Sequence, residues 1–205
     1  EEVKWTDGNG FIIADQSSSV TYNNTGGEHA NIVPGEYGSL VIVGDKKLVH
    51  DIYIKDSFDL QSGTLDIKSF SLAFSQSAVV VQYPSFNTDH SVLMDLGDGD
   101  ALMSGNIFIQ VPIAIDGPAP PPANILLPIT LNGTYFPTSF IVDGFEGGEV
   151  ENVFDPSLIE NGFVKIFPEA GPIIELPDIS KLDLVNNLRW KFHSFASVDV
   201  TATVG

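Results

Sequence analysis

The alternation of apolar and polar residues predicts β-strands along most of the chain. Residues alternate between two faces from Leu48 to Lys55, and apolar side chains recur at every second position from Leu188 to Phe192 and from Val198 to Val204, with Phe195 out of phase. This is the period of a half-buried strand. Turn residues separate such runs at roughly 8–12-residue spacing, and a single helical turn is expected only at Asp155–Glu160. The pattern predicts an all-β protein, mainly antiparallel, folded as a two-sheet sandwich (jelly-roll or immunoglobulin-like) or as a flattened barrel.

The phase of the alternation predicts how the strands connect and which residues form the core. Gly44–Lys47 has the length of a hairpin turn after the run Tyr37–Val43. The apolar phase slips by one residue between Ile67 and Phe70, which indicates a bulge near Lys68 and Ser69. The predicted core consists of apolar residues on the inward faces of these runs: Val41, Ile52, Ile54, Phe70, Leu72, Phe74, Val80, Ile107, Ile109, Trp190, Phe192 and Val200.

A proline-rich stretch lies at the centre of the chain. Two apolar runs, Ile107–Ile115 and Ile125–Leu131, flank the connector Asp116–Ala123, which contains four prolines. Proline fixes φ and favours polyproline II over a tight hairpin. Each run also contains a proline, Pro112 and Pro128. Since proline cannot donate to a sheet ladder, each strand is expected to reach an edge, form a bulge or change sheets at that point.

The chain divides into two parts on this pattern. Residues 1–36 are polar and turn-rich, with short β candidates inside Phe11–Asn23, and are predicted to form an extended N-terminal segment. That segment either donates a strand to a neighbouring subunit or pairs with its own sheet. Residues 37–205 are predicted to form a single β-sandwich domain. The start at Glu1, without an initiator Met, suggests a processed or trimmed N-terminus.

Charge and cysteine usage limit the function classes. Nine basic residues oppose 27 acidic ones, for a formal net charge of −18. Such a field repels phosphate backbones and anionic membrane surfaces, so neither nucleic acid nor such a membrane is an expected partner. The absence of cysteine excludes disulfides, thiolate metal sites and a cysteine nucleophile. No run approaches the roughly 18 apolar residues of a membrane helix.

An acidic loop is the candidate metal site. Asp95, Asp98 and Asp100 lie in a glycine-containing segment, and carboxylate oxygens suit a hard cation such as Ca²⁺. The spacing is not that of an EF-hand, and Asp-Gly pairs more often form plain turns. A second acidic group has the same two interpretations: Asp143, Glu146, Glu149 and Glu151. No other cofactor is predicted.

Other candidate chemistry is sparse. No nucleophile elbow, phosphate-binding loop or dinucleotide fingerprint is present, so the chain is predicted not to be an enzyme. The histidines are too far apart for a local zinc pair: His29, His50, His90 and His193. Some aromatic residues could stack on sugars or pack across strands: Trp5, Tyr22, Tyr37 and Tyr135. Asn23 and Asn132 begin glycosylation sequons.

These features together predict an exported structural subunit of an extracellular or cell-surface assembly. Self-association into a filament, surface layer or matrix, by strand donation, is the favoured partner interaction. A secreted glycan-binding module is the alternative. A glycoside hydrolase is third, because a carboxylate pair cannot be recognised from spacing in so acidic a chain.

Overall fold

The computed structural model describes residues 11–23, 30–67, 70–94, 105–114, 118–146, 163–170, 188–193 and 199–204. Within these ranges the regular structure is β-strand and no helix occurs. The all-β prediction is therefore confirmed. The predicted helical turn at Asp155–Glu160 lies outside the described residues.

Eighteen strands follow one another along the described chain. In chain order they are β1 (Ile12–Ile13), β2 (Ser19–Asn23), β3 (Ala30–Ile32), β4 (Gly35–Val43), β5 (Lys46–Leu48), β6 (Ile52–Ser62), β7 (Leu65–Asp66), β8 (Ser71–Phe74), β9 (Val79–Val80), β10 (Val92–Met94), β11 (Asn106–Gln110), β12 (Ile113–Ala114), β13 (Ala123–Leu131), β14 (Thr134–Val142), β15 (Phe145–Glu146), β16 (Phe163–Ala170), β17 (Leu188–His193) and β18 (Val200–Val204).

The strands form two large sheets and one small one. Sheet A has the order β1-β4-β6-β8-β11-β16-β17. Two further strands belong to it: β2 also pairs with β4, and β9 also pairs with β6. Sheet B has the order β3-β5-β7-β10-β13-β14-β18, and β12 pairs with β15 alone. From β3 to β8 the chain alternates strictly between the sheets, one strand in each. Every pair in this part is parallel, so the chain winds as a β-solenoid of about three turns.

The register shows which residues occupy the same position in successive turns. In sheet A, Ile52 lies beside Leu72, and Ile107 continues the row on the far side of Leu72. In sheet B, Lys46 lies beside Leu65 in the same way. The row in sheet A stacks aliphatic side chains along the solenoid axis. The space between the two sheets is filled by one apolar core.

The predicted antiparallel sandwich or barrel is wrong. A period-2 pattern specifies which face of a strand is buried but not the direction of its neighbour. The segment interpreted as a hairpin, Gly44–Lys47, instead takes the chain from β4 in sheet A to β5 in sheet B. The phase slip between Ile67 and Phe70 has the same cause, because β7 and β8 belong to different sheets. Lys68 and Ser69, where a bulge was predicted, lie outside the described residues.

The chain becomes antiparallel after the solenoid turns. β13 and β14 form a hairpin whose turn residues, Asn132 and Gly133, have φ angles of 48° and 78°. Two positive φ values are the signature of a type I′ turn, which matches the twist of the flanking strands. β18 then adds antiparallel to β14, while β16 and β17 extend sheet A antiparallel from β11.

The core prediction holds for most of the inward-facing residues. Seven are buried: Ile52, Ile54, Leu72, Phe74, Val80, Ile107 and Ile109. Four are partly buried and pack against the core: Phe70, Trp190, Phe192 and Val200. Val41 was placed on the wrong face, since its neighbours Leu40 and Ile42 are the buried ones.

A close approach at Gly38 explains the error at Val41. The register of β4 against β6 shifts between Tyr37 and Ser39, so the inward phase changes at that point. A Cβ on Gly38 would collide with carbonyl oxygens of Asp15 and Ser18. Only glycine lets the N-terminal segment lie this close to β4.

Pro112 lies where the chain changes sheets, as predicted, whereas Pro128 stays in the continuous ladder to β14, opposite Pro137. Pro112 separates β11 in sheet A from β12 in the small sheet. Pro128 lies within β13, but the ladder to β10 begins only at Ile129. The described part of the connector, residues 118–122, has no regular secondary structure.

Candidate functional site

The first and last strands of each sheet form the two ends of the solenoid. At the N-terminal end these are β1 and β2 in sheet A and β3 in sheet B. At the C-terminal end they are β17 in sheet A and β18 in sheet B. Among the strands that the structure describes, none pairs with the outer edges of these five. Within the described residues, each of these edges thus has backbone N–H and C=O groups that a further strand can pair with.

The edges at the two ends run in the same direction. In sheet A, β17 is antiparallel to β16, which is antiparallel to β11, so β17 runs parallel to β4 and β2. In sheet B, the two reversals through β14 make β18 parallel to β13 and β3. A second copy translated along the axis would therefore meet the first with parallel edges in both sheets.

The two ends are also staggered in a complementary way. With β4 and β3 each counted as the first layer of its sheet, β17 is the sixth layer of sheet A and β18 the seventh of sheet B. β1 and β2 form an additional layer of sheet A before the first. Sheet A therefore projects by one layer at the N-terminal end, and sheet B projects by one layer at the C-terminal end. The projections of two stacked copies would interlock.

A ring contact joins the sixth layers of the two sheets across the core. Phe140 belongs to β14, the sixth layer of sheet B, and Trp190 belongs to β17, the sixth layer of sheet A. Their ring centroids are 5.1 Å apart with the planes at 87°, an edge-to-face arrangement favoured by aromatic pairs. The last complete layer is thus closed across the core.

The end strands have few of the features that block association. β2, β3 and β18 contain no charged residue and no proline. Large apolar side chains are exposed in or beside the end strands: Ile13 is 75% accessible, Phe11 57% and Val204 47%. Soluble proteins usually protect an open edge with charges, prolines or bulges. β17 differs, because it carries Arg189 and Lys191, two of only nine basic residues in the chain.

The N-terminal segment pairs with its own chain. Ile12 N donates to Pro34 O at 2.9 Å, and Ser39 N donates to Ser18 O at 2.7 Å. β2 matches β4 residue for residue from Val20 opposite Leu40 onward. Phe11–Asn23 is therefore a layer of its own sheet A, the second of the two arrangements expected from the sequence.

A tyrosine pair holds β2 over the first turn. Tyr22 Oη and Tyr37 Oη are 2.9 Å apart, Val33 N donates to Tyr22 Oη at 3.1 Å, and Tyr37 Oη donates to Val33 O. Burial raises the pKa of Tyr37, and the hydrogen bond to Tyr22 raises it further. Tyr37 is fully buried, so it is not a platform for a sugar.

Polar side chains at the corners form hydrogen bonds both within one solenoid turn and to the next. Ser71 N donates to Asp51 Oδ1 at 2.6 Å. Lys46 is buried, and its Nζ donates to Val43 O at 2.8 Å and to Asp45 O at 3.2 Å. Burial lowers the pKa of Lys46, which the charge of Asp45 partly offsets. The Asp51 contact therefore joins successive turns, and the Lys46 contacts hold the corner between β4 and β5.

The structure does not test the predicted calcium site. Asp95, Asp98 and Asp100 lie outside the described residues. Of the second acidic group, Asp143 is exposed. Across the described ranges, no three His, Asp or Glu side chains group as a metal site would require.

The remaining predicted residues are scattered. His90 is buried, with Nε2 2.7 Å from Leu60 O and Nδ1 3.1 Å from Ser85 Oγ, whereas His50 is exposed. His193 lies in β17, and His29 and Trp5 lie outside the described part. The sequon residues are both exposed, Asn23 at the end of β2 and Asn132 in the hairpin turn.

Comparisons with known proteins supply no further assignment. No family model, curated protein or solved structure matches the chain. No helix in the described ranges has the length and apolar character needed to cross a bilayer.

The matching of the two ends was missed from the sequence. One signal was visible: β18 reads Val-Thr-Ala-Thr-Val, an alternating strand without charge. Its direction relative to β3 depends on the whole topology, which residue spacing does not reveal.

Proposed function

We propose that this protein is a structural subunit that stacks end to end into filaments. The observation that carries the proposal is the geometry of the ends. In both sheets the last strand runs parallel to the first, and the two ends are staggered by one complementary layer. Edge β17 of one copy would receive β1 and β2 of the next, while β18 would receive β3.

Backbone hydrogen bonds would supply most of the contact. Strand addition satisfies N–H and C=O groups in a continuous ladder, and Ile13, Phe11 and Val204 would lose their exposure in the same contact. Such an interface is heterologous, because two different surfaces meet. Heterologous contacts that do not close into a ring give open filaments.

The charge of the chain would control when assembly occurs. A net charge of −18 on 205 residues keeps free subunits apart. Screening by salt shortens the range of this repulsion to about 8 Å at physiological ionic strength. The uncharged edge strands of two subunits could then approach each other.

This mechanism differs from strand donation. A donated strand leaves its own fold, whereas Phe11–Asn23 pairs with β4 in the same chain. Stacking requires no segment to detach. The extracellular or cell-surface location stays a prediction from the sequence.

Charged substitutions on the exposed face of β18 test the proposal. Thr201 and Thr203 are exposed, so T201K/T203K introduces lysines that natural edge strands use to prevent pairing. The matched control V79K/T88K adds the same charge at exposed positions away from both ends. Electron microscopy and sedimentation should show filaments for wild type and control and monomers for T201K/T203K.

Two results would contradict end-to-end stacking. The first is a wild-type protein that stays monomeric at high concentration and at every salt concentration. The second is filament formation by T201K/T203K to the same extent as by V79K/T88K.

A further inference from the structure

A polar pocket lies on the outer face of sheet A and reaches the turn between β1 and β2 at the N-terminal end. Its volume is about 300 Å³, at the lower end of the range of small-molecule sites. It is lined by side chains that carry amide, hydroxyl or paired charged groups: Gln16, Glu36, Tyr53, Lys55, Ser75, Gln76, Ser77 and Gln110.

The two charged groups of the pocket neutralise each other. Lys55 Nζ lies 2.7 Å from Glu36 Oε2, and both side chains are about one-quarter exposed, at 25% and 26%. Lys55 Nζ also donates to Ala14 O at 3.1 Å. The ion pair is therefore fixed against the N-terminal segment and gives the pocket wall no net charge.

The floor of the pocket is rigid. Tyr53 Oη donates to Gln110 Oε1 at 3.1 Å, and the Tyr53 ring packs edge-to-face on Phe163 at 5.7 Å. Burial raises the pKa of Tyr53 to about 12, so its hydroxyl stays protonated at neutral pH. Ser75 Oγ donates to Lys55 O at 2.6 Å. These bonds hold the polar groups in place before any ligand arrives.

Two glutamines at the rim complete the arrangement. Gln16 and Gln76 are exposed, and each primary amide offers both donors and an acceptor. Gln76 lies in the turn between β8 and β9, and Gln16 in the turn between β1 and β2. They approach the pocket from two separate loops.

The chemistry of the lining selects among ligand classes. An anion would be repelled by the net charge of −18. A cation would have to displace Lys55 from Glu36. An apolar ligand would desolvate the exposed amides of Gln16 and Gln76 without bonding to them, which is costly. A neutral polyhydroxylated molecule both donates and accepts hydrogen bonds, as this lining requires.

We propose that this pocket is a subsite for one unit of a neutral saccharide. Gln16 and Gln76 would bond ring hydroxyls from the rim, and the Glu36–Lys55 pair would bond hydroxyls at the wall. Binding should be weak, because the Tyr53 ring is buried and offers no exposed face for stacking.

Saturation-transfer NMR with neutral oligosaccharides built from glucose, galactose, mannose or N-acetylglucosamine tests the proposal. At least one should bind, and Q76A should weaken that binding about fivefold, the effect of one neutral hydrogen bond. Q16A/Q76A should weaken it about 25-fold if the two bonds are additive. The control Q61A removes an exposed amide outside the pocket and should leave binding unchanged.

Three results would overturn the saccharide subsite. They are no binding by any neutral oligosaccharide, equal loss of binding in Q61A and Q76A, and binding of glucuronate or inorganic phosphate in preference to neutral sugars. Unchanged melting temperatures would show that the variants are folded. Because Gln76 is not at either end of the solenoid, filament formation by Q76A separates this proposal from the stacking proposal.

Discussion

Asp45 accepts two hydrogen bonds from Thr64, which lies one solenoid turn later. Thr64 N lies 2.8 Å and Thr64 Oγ1 3.1 Å from Asp45 Oδ1. Lys46 N donates in return to Thr64 O at 2.8 Å. One carboxylate thus binds the corner between β4 and β5 to the corner between β6 and β7.

Removing this carboxylate should destabilise the fold. D45A leaves the amide of Thr64, a residue only 8% accessible, without its acceptor. We expect a loss of about 1.5–3 kcal/mol, as for hydrogen bonds to a charged group. Urea unfolding measures it. The control D89A removes an exposed carboxylate and should change stability by less than about 0.5 kcal/mol. Equal effects of the two variants would mean that the corner contact contributes nothing specific.

The inward phase of the strands can be tested by paired truncations. Phe74 is fully buried and packs edge-to-face on Phe58 at 6.1 Å, so F74A should cost about 3–5 kcal/mol. Val41 is only partly buried, and V41A should cost less than about 1 kcal/mol. Both losses of unfolding free energy follow from the shift in the denaturant midpoint of each variant, when the dependence of the unfolding free energy on denaturant concentration is unchanged. A greater loss for V41A than for F74A would reverse the assignment of faces in β4.

Alkaline pH should unfold the protein through its buried tyrosines. The pKa values of Tyr37 and Tyr53 are raised by burial, that of Tyr53 to about 12. Above the ordinary tyrosine pKa of about 10, the unfolded chain loses these protons before the folded one does. Stability should therefore be complete below about pH 10 and fall as pH rises toward about 12.

Two lysines act in the opposite direction. Burial lowers the pKa values of Lys46 and Lys165, so the folded chain releases these protons first. The contribution of the two lysines to the free energy of unfolding rises with pH and levels off above about pH 10.5. Above that pH, the tyrosines determine how stability changes. Y53F should therefore show a shallower loss between pH 10 and 12 in urea titrations. An unchanged slope would exclude Tyr53 as a source of the alkaline loss.

Assembly should depend on salt. Filament mass measured by light scattering should rise with NaCl at neutral pH, because the −18 charge is screened. It should also rise as pH falls toward the pI of about 4.2. If monovalent salt has no effect and calcium alone promotes assembly, a specific cation bridge replaces general screening as the cause.

The sequence predicted the strands and most of the core, but not the architecture. Alternation placed Ile52, Leu72 and Ile107 on inward faces, because burial of one face depends only on local pattern. Whether adjacent strands belong to one sheet depends on the corners. Gly44 and its neighbours suit a hairpin as well as a corner, and the turns share no repeated motif that would reveal a solenoid.

The candidate sites were less predictable than the strands. Stacking depends on strand directions accumulated over the whole chain, and the polar pocket gathers Gln16, Lys55 and Gln110 from distant positions. Neither has a local signature. The acidic loop at Asp95–Asp100 was conspicuous in the sequence only because its residues are adjacent, and it remains an untested prediction.

The axial rise per subunit in a filament tests end-to-end stacking most directly. Each copy contributes seven layers to each sheet. Strands in a sheet lie about 4.8 Å apart, so the seven layers should give a rise of about 34 Å. Helical reconstruction from cryo-electron micrographs measures this rise and shows which strands meet. The predicted result is a rise of this size, with β17 against β2 and β18 against β3. Filaments with another rise and with these edges apart, or no filaments at any concentration and salt, would contradict it.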